Sequence, residues 1–282
     1  MLKAMLERGM HKAAVKNSQP DQARKPKFNG AKIIGVVGAK GGVGATTLSV
    51  ELAAVLALSY GHTTVVDGDL QHADVWSALG CTSEYSVEDL VERIDGLDES
   101  VFSACCSSPF PQASKLRVLG QAVNAAAIPK INLTDLARVV QKCSLYTEFF
   151  LLDLPRHIDK HLVTAADLCD TIVLVFEATV AGVTMVTRWL SLFHELGYED
   201  DRIICVLNRA GGKYTTVEKE LHRCLGERDI VRIPNASSIL WECAARPVPA
   251  VLAYASHPYS RAVARLAERL QQPRQKGGEE DV

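Results

Sequence analysis

Residues 38–47 read GAKGGVGATT, and this stretch decides which fold the sequence predicts. The hydrophobic run KIIGVVG at 32–38 precedes it, and a helix-like run over 45–60 follows it. Glycines between a strand and a helix allow a turn whose backbone N–H groups bind phosphate, assisted by the positive end of the helix. A bare turn also favours glycine, so a purely structural loop stays open as the alternative.

One position of this loop departs from the usual phosphate-loop pattern, Gly-x-x-x-x-Gly-Lys-[Ser/Thr]. Gly44 and Thr46 keep their places in the pattern, whereas Ala39 replaces its first glycine and Ala45 replaces its lysine. That lysine reaches the β- and γ-phosphates, where charge must be stabilised during phosphoryl transfer. We therefore expect this loop to bind a nucleotide and to support weak hydrolysis or none.

Strand-like and helix-like segments alternate along the rest of the chain. Hydrophobic runs predict strands at 63–67, 115–120, 148–154, 170–177, 202–208 and 229–234. Apolar spacing predicts helices at 132–143, 159–169, 180–196, 214–225 and 259–270. This alternation predicts an α/β fold with a doubly wound, mostly parallel sheet and helices on both faces, as in P-loop NTPases and other Rossmann-like proteins.

Acidic residues follow two of the predicted strands. Asp67 and Asp69 lie at the end of the strand TTVVD, and Asp153 ends the run FFLLD at 149–153. The carboxyl ends of parallel strands form the edge of the sheet at which α/β proteins bind ligands. We therefore expect these carboxylates in the ligand crevice, although Asp67 and Asp69 could instead cap the next helix.

The loop as a whole resembles the deviant phosphate loop of the ParA/MinD family of ATPases, whose pattern is KGGxGK[ST]. In that family the first lysine reaches across an ATP-containing dimer to the partner's phosphates, and Lys40 matches that lysine. The resemblance implies ATP and Mg²⁺ as ligands, a homodimer that forms with ATP, and Lys40 as a catalytic residue. Ala45 departs from the second lysine of the pattern, and this departure puts hydrolysis in question.

The resemblance also assigns roles to the carboxylates. Asp69 matches the switch I aspartate that positions the attacking water, so it is a catalytic and a metal-site residue. Asp153 matches the aspartate that holds the magnesium shell, together with the Thr46 hydroxyl. Pro155 stands in a second switch segment that lacks the family's glycine, and proline restricts the backbone there.

Contacts to the adenine base are implied at the ends of two later strands. Asn208 matches a family asparagine, although it could instead be a turn residue, and Pro234 and Asn235 match the segment that follows one strand later. The implied nucleotide-binding residues are Lys40, Gly41, Gly42, Val43, Gly44, Ala45, Thr46, Thr47, Asn208, Pro234 and Asn235.

Several motifs, taken in their order, resemble the CpaE/TadZ branch of this family, the localisation ATPases of Flp-type (tight-adherence) pilus assembly. The motifs are GGVGATT at 41–47, DGDLQHADV at 67–75, LLDLPR at 151–156, VLNR at 206–209 and a spaced IPN–S–A–RPV run from 233 to 248. The resemblance covers 32–270 and implies a localisation or scaffold protein whose partners are pilus or secretion assembly proteins.

Composition favours a globular chain with no general affinity for polyanions. The formal net charge of the 282 residues is −2, and eight cysteines contain no Cys-x-x-Cys pair. With no export signal seen, we expect reduced cysteines and a cytoplasmic protein, and a polar or an inner-membrane peripheral position stays open. Glu268 interrupts the basic stripe of the last helix, so we do not expect nucleic-acid binding.

The predicted domain, 32–271, lies between two polar segments, 1–31 and 272–282. The first segment is basic and is read as flexible. Residues 1–16 could form a basic amphipathic helix that contacts a membrane surface or a partner, and a disordered start is the alternative.

The function predicted from these features is an ATP-dependent, dimerising localisation or scaffold protein for pilus or secretion-system assembly. Two alternatives remain: an active ParA/MinD-type positioning ATPase that acts on DNA or membrane, and a nucleotide-free interaction module with an ATPase fold.

Overall fold

A sheet of eight strands forms the centre of the computed structural model, which describes residues 30–68, 74–81, 85–119, 133–211 and 215–272. The strands are β1 (Lys32–Gly38), β2 (Thr63–Asp67), β3 (Cys106–Ser107), β4 (Leu116–Leu119), β5 (Phe149–Asp153), β6 (Thr171–Glu177), β7 (Ile203–Ala210) and β8 (Ile230–Pro234). Their order is β3-β4-β2-β5-β1-β6-β7-β8, and each neighbouring pair is parallel except β3–β4. The phosphate-loop candidate therefore follows a central strand, β1, between β5 and β6.

Helices join the strands and cover the sheet. They are α1 (Ala45–Ser59), α2 (Asp74–Leu79), α3 (Val87–Glu92), α4 (Glu99–Ala104), α5 (Leu133–Cys143), α6 (Lys160–Asp167), α7 (Val180–Glu195), α8 (Thr215–Leu225), α9 (Ser237–Ala245), α10 (Ala250–Ala253) and α11 (Pro258–Gln271).

Side chains of the central strands alternate between two hydrophobic clusters, one on each face of the sheet. In β6, Val173 and Val175 pack into the cluster that contains α1 and α11, whereas Leu174 and Phe176 pack into the cluster that contains α7. Because both faces are covered, these strands are apolar throughout, and this property made them recognisable in the sequence. The predicted doubly wound α/β fold is confirmed.

Several elements were not predicted, and β3 and α9 illustrate the reasons. β3 has two residues and pairs antiparallel with β4, so it is too short to give a periodic signal. α9 presents mainly exposed or half-buried side chains, and Cys243 is its one fully buried residue. A helix with so narrow a buried face shows little apolar periodicity.

No helix in the described part of the chain has both the length and the apolar character of a membrane span. The predicted amphipathic segment 1–16 and the terminal segments 1–31 and 272–282 lie wholly or almost wholly outside the described residues. Their boundaries and roles therefore stay predictions.

Candidate functional site

The loop between β1 and α1 depends on two glycines with left-handed backbone conformations. Gly42 has φ 78° and Gly44 has φ 88°, values that residues with a side chain adopt at a cost. Gly44 is the N-cap of α1, and among the described residues no side chain caps this end of the helix. The first N–H groups of α1 are therefore available to an anion at the positive end of the helix.

Three hydrogen bonds hold the loop against the sheet. Ala39 donates its N–H to the carbonyl of Val175 in β6 at 2.8 Å, and its own carbonyl accepts from Nε1 of Trp189 in α7 at 3.0 Å. At the other end, Nδ2 of Asn208 donates to the carbonyl of Val43 at 2.8 Å. These anchors give the loop a defined shape before any ligand binds.

The loop lines a cavity of about 310 Å³. Among the described residues, its charged lining consists of three cations and three carboxylates: Lys40, Arg156, Arg209, Asp67, Asp74 and Asp153. A concave site that combines a glycine loop with charges of both signs suits a ligand that carries anionic groups together with a metal ion.

Asp153 is the polar centre of this cavity. Its Oδ2 accepts a hydrogen bond from Oγ1 of Thr46 at 2.7 Å, and its Oδ1 accepts from Oγ of Ser49 at 2.9 Å. Burial, and secondarily the charge of Asp67, raises the pKa of the Asp153 carboxyl to about 7. A nearby cation would favour the ionised carboxylate, so this position suits a metal ion.

Asp67 lies beside Asp153 in the sheet, because β2 and β5 pair in register at these two residues. It is 2% exposed, and its Oδ2 accepts a hydrogen bond from the N–H of Val75 in α2 at 3.1 Å. Asp67 thus lines the cavity and also binds the start of α2. Its contacts therefore agree with both alternatives raised for it, a ligand-site residue and a cap of the next helix.

Lys40 is engaged by a residue of its own chain. Its Nζ lies 3.1 Å from Oε2 of Glu177 at the end of β6, and Oε1 of the same carboxylate pairs with Nη1 of Arg209. Arg209 itself has a left-handed backbone, with φ 53°. Glu177 was not identified from the sequence, although it ends a buried strand in the way that Asp67 and Asp153 do.

Arg156 was also missed as a site residue. Its guanidinium lies over the backbone of Gly41, so close that a Cβ added to this glycine would be 3.2 Å from Nη1. The signal was present in the sequence, because Arg156 follows Asp153 by three residues in the motif LLDLPR.

The residues expected at the adenine base are only partly brought together. Pro234 pairs with Ala210 in the β7–β8 register, and Asn208 lies on the same strand as Ala210, so the three share one edge of the sheet. The side chain of Asn208 contacts the loop carbonyl, and Oδ1 of Asn235 accepts from Ser237. None of Asn208, Pro234 and Asn235 lines the cavity described above. Asp69 lies outside the described residues, so its role stays a prediction.

The donor set fits a magnesium nucleotide. The Thr46 hydroxyl and the Asp153 carboxylate are hard oxygen ligands of the kind that Mg²⁺ prefers, and they lie under a loop with an uncapped helix end. Thr47, next to Thr46, also lines the cavity. Ala45 offers a methyl group where the usual lysine would offer an ammonium. Fold and loop together define a protein of the P-loop NTPase fold.

Comparison with known proteins gives the family. The family model of an AAA domain, AAA_31, matches residues 31–195, which is more than half of the chain, and the chain belongs to this family. Its fold is that of the ParA/MinD-type P-loop ATPases.

Three similar proteins illustrate the match. A ParA family ATPase from Chlorobium tepidum superposes with a TM-score of 0.76 at 21% identity, over 86% of this chain and 99% of that chain. The septum site-determining protein MinD of Pyrococcus horikoshii, complexed with Mg-ADP, gives 0.69 at 20%, over 85% and 96%. An uncharacterised ATP-binding protein of Methanocaldococcus jannaschii is 20% identical, over 84% of this chain and 86% of its own length.

Proposed function

We propose that this protein binds Mg-ATP, dimerises when ATP is bound, and serves as a localisation or scaffold protein with weak hydrolysis or none. The hydrogen bond from Thr46 to Asp153 beneath the glycine loop carries the proposal. It joins a hydroxyl in the first turn of α1 to a carboxylate at the end of β5 at 2.7 Å, and these are the oxygen donor types that hold magnesium in a P-loop site. The similarity to a MinD protein complexed with Mg-ADP supports the choice of ligand.

Slow turnover follows from the residue at position 45. Phosphoryl transfer needs positive charge on the terminal phosphates in the transition state, and the usual lysine supplies it from within the subunit. Ala45 cannot do so. Binding suffers less, because the backbone cradle, Thr46 and the magnesium ion contribute to it independently of that lysine.

Dimerisation is proposed from Lys40. It lines the cavity at the front of the loop and is one-third exposed, so release from Glu177 would let it reach a neighbouring subunit. ATP that contacts two subunits would favour the dimer by its differential affinity for that state.

The proposed setting is the assembly of a pilus or secretion system, and it rests on the CpaE/TadZ-like order of motifs. A cytoplasmic protein that binds ATP without fast turnover would hold one state for a long time, as a spatial marker requires. Residues 1–16 would supply a peripheral contact with a membrane or with an assembly protein.

Calorimetric titration tests the ligand assignment. We expect Mg-ATP to bind the wild type, and Thr46→Val to weaken Mg-dependent binding by about tenfold or more, because a magnesium ligand is lost. Thr184→Val is the matched control, since Thr184 is exposed on α7 and its hydroxyl donates to the Val180 carbonyl outside the cavity. A wild type that binds neither ATP nor ADP would favour the nucleotide-free interaction module.

Phosphate release separates the proposal from an active positioning ATPase. We expect turnover far below the usual enzymatic range of about 1 to 10³ per second. Ala45→Lys restores the lysine of the usual loop pattern and should raise turnover by about 10²-fold, the order contributed by one transition-state charge contact. Turnover above about 1 per second in the wild type would favour the positioning enzyme instead.

A further inference from the structure

Three cationic side chains in the described part of the chain line the cavity, and their partners differ. Lys40 and Arg209 both pair with Glu177, so much of their charge is already balanced within the chain. Arg156 is exposed, and in the described part of the chain no carboxylate lies within ion-pair distance of its guanidinium. Arg156 is therefore the lining cation whose charge is available to a ligand.

The position of Arg156 is fixed by the strand that carries the magnesium donor. The N–H of Leu154 donates to the carbonyl of Val36 in β1 at 2.8 Å, and the Leu154 side chain is buried. Pro155 then restricts the backbone before Arg156. The guanidinium lines the same cavity as Asp153 and lies over Gly41 of the loop.

Its chemistry suits phosphate. A guanidinium keeps its charge at every physiological pH, and its planar donors can form two parallel hydrogen bonds to one phosphate group. It lines the same cavity as Ala45, which carries no charge where the usual loop has a lysine.

We propose that Arg156 is the phosphate-binding cation of its own subunit and that it replaces the lysine absent at position 45 in nucleotide binding, though not in stabilising the transition state. This inference rests on the proposed function, because it requires a nucleotide in the cavity. Thr46 and Asp153 would hold the magnesium ion of the nucleotide, and Arg156 lines the same cavity three residues after Asp153, so its guanidinium would contact the terminal phosphates. Arg156 therefore distinguishes ATP from ADP.

The test measures the dissociation constants of Mg-ATP and Mg-ADP by calorimetry for the wild type, Arg156→Gln and Arg156→Lys. We expect Arg156→Gln to weaken ATP binding about tenfold or more and ADP binding less, so that the preference for ATP falls. Arg156→Lys should give an intermediate affinity, because it keeps the charge and loses the paired donors. Arg188→Gln is the matched control, since Arg188 is exposed on α7 and does not line the cavity.

A rescue experiment separates a direct role from a structural one. Ala45→Lys in the Arg156→Gln background should recover most of the ATP affinity, because it returns a cation to the same phosphates by another route. Melting temperatures of the nucleotide-free variants, measured in parallel, should match that of the wild type, because Arg156 is exposed.

The two proposals fail in different ways. If the wild type binds neither nucleotide, the proposed function is wrong, and the role of Arg156 is wrong with it. If the wild type binds ATP, and Arg156→Gln keeps both affinities within twofold, the nucleotide site stands and the role of Arg156 is overturned. An equal loss of ATP and ADP affinity would overturn its contact with the terminal phosphate.

Discussion

At the scale of single residues, the loop combines backbone shape with an unusual distribution of charge. Gly42 and Gly44 supply left-handed turns, and Thr46 reaches Asp153 from the first turn of α1. Ala45 removes the usual lysine, whereas Lys40 and Arg156 add cations at the front of the loop. The loop thus keeps the backbone shape that suits phosphate, whereas its positive charge comes from Lys40 and Arg156 and not from residue 45.

Gly44 should tolerate a side chain less well than Gly42. Both have positive φ, so alanine costs about 1 kcal/mol at either position. At Gly44 a Cβ would also lie 2.7 Å from Nδ2 of Asn208, whereas at Gly42 no atom of the described residues lies within 4 Å of it. Urea unfolding should show Gly44→Ala to be less stable than Gly42→Ala by about 1 kcal/mol, the worth of the Asn208–Val43 bond. Equal stabilities would contradict the close contact.

In the absence of a metal ion, ionisation of the buried Asp153 carboxyl should lower the free energy of unfolding at high pH. Its folded pKa of about 7 lies above the ordinary value of 3.8, so the folded state binds more protons between these values and stability falls as pH rises through about 7. Asp153→Asn does not titrate, and at pH 8 it should melt several degrees above the wild type. At pH 5.5, where the folded carboxyl is protonated, the difference should shrink. A lower melting temperature for the variant at pH 8 would contradict the shift.

At the scale of elements, helices from both ends of the domain support the loop. Buried α1 carries two polar residues with defined partners: Ser49 donates to Asp153, and Glu51 accepts from the N–H groups of Ala250 and Val251 at the start of α10. On the opposite face of the sheet, α7 supplies the indole that binds Ala39. The site is therefore stabilised by elements far away in sequence.

Trp189 should stabilise the fold through its indole hydrogen bond as well as through its apolar packing. Its side chain is 2% exposed, and Nε1 donates to Ala39. Trp189→Phe leaves that buried carbonyl without its indole donor and should cost about 1 to 3 kcal/mol in urea unfolding. Trp241→Phe is the matched control, because Trp241 is 78% exposed, and it should change stability by less than about 0.5 kcal/mol. Similar costs for the two variants would contradict the anchoring role.

The sequence predicted the central strands and the glycine loop because their signals are local. A strand buried on both faces is apolar throughout, and strand–glycine–helix spacing specifies the phosphate loop. Arg156 and Glu177 carried a signal, because each lies at or just after the end of a buried strand, but their approach to the loop depends on the pairing of β5 and β6 with β1, which the sequence does not display. Ser49 and Glu51 did carry a signal, since polar residues in a buried helix require partners.

At the scale of the whole molecule, three adjacent parallel strands position the residues of the site. β5, β1 and β6 end at one edge of the sheet and bring Asp153, the glycine loop and Glu177 together. Lys40 lies at the front of the loop, is partly exposed, and pairs with Glu177 of the same chain. The carboxylate of Glu177 and the phosphates of a bound nucleotide would therefore compete for the same lysine.

Removal of that competition should favour the dimer. Glu177→Gln keeps the size of the side chain and removes its charge, so Lys40 loses its ion-pair partner. The ATP concentration at half-maximal dimerisation should therefore fall by about threefold or more. Glu195→Gln, an exposed change at the end of α7, is the control. Light scattering across an ATP titration gives both midpoints, and a higher midpoint for Glu177→Gln would show that Glu177 does not restrain Lys40.

The central claim is that ATP joins two copies of this chain and is hydrolysed too slowly to release them. Light scattering in saturating Mg-ATP, with ATP itself rather than an analogue, tests both parts together. We predict a mass twice the 30.7 kDa of the chain that persists for hours, and the mass of a single chain for Lys40→Ala. A wild-type mass that stays at 30.7 kDa in saturating Mg-ATP would contradict the account.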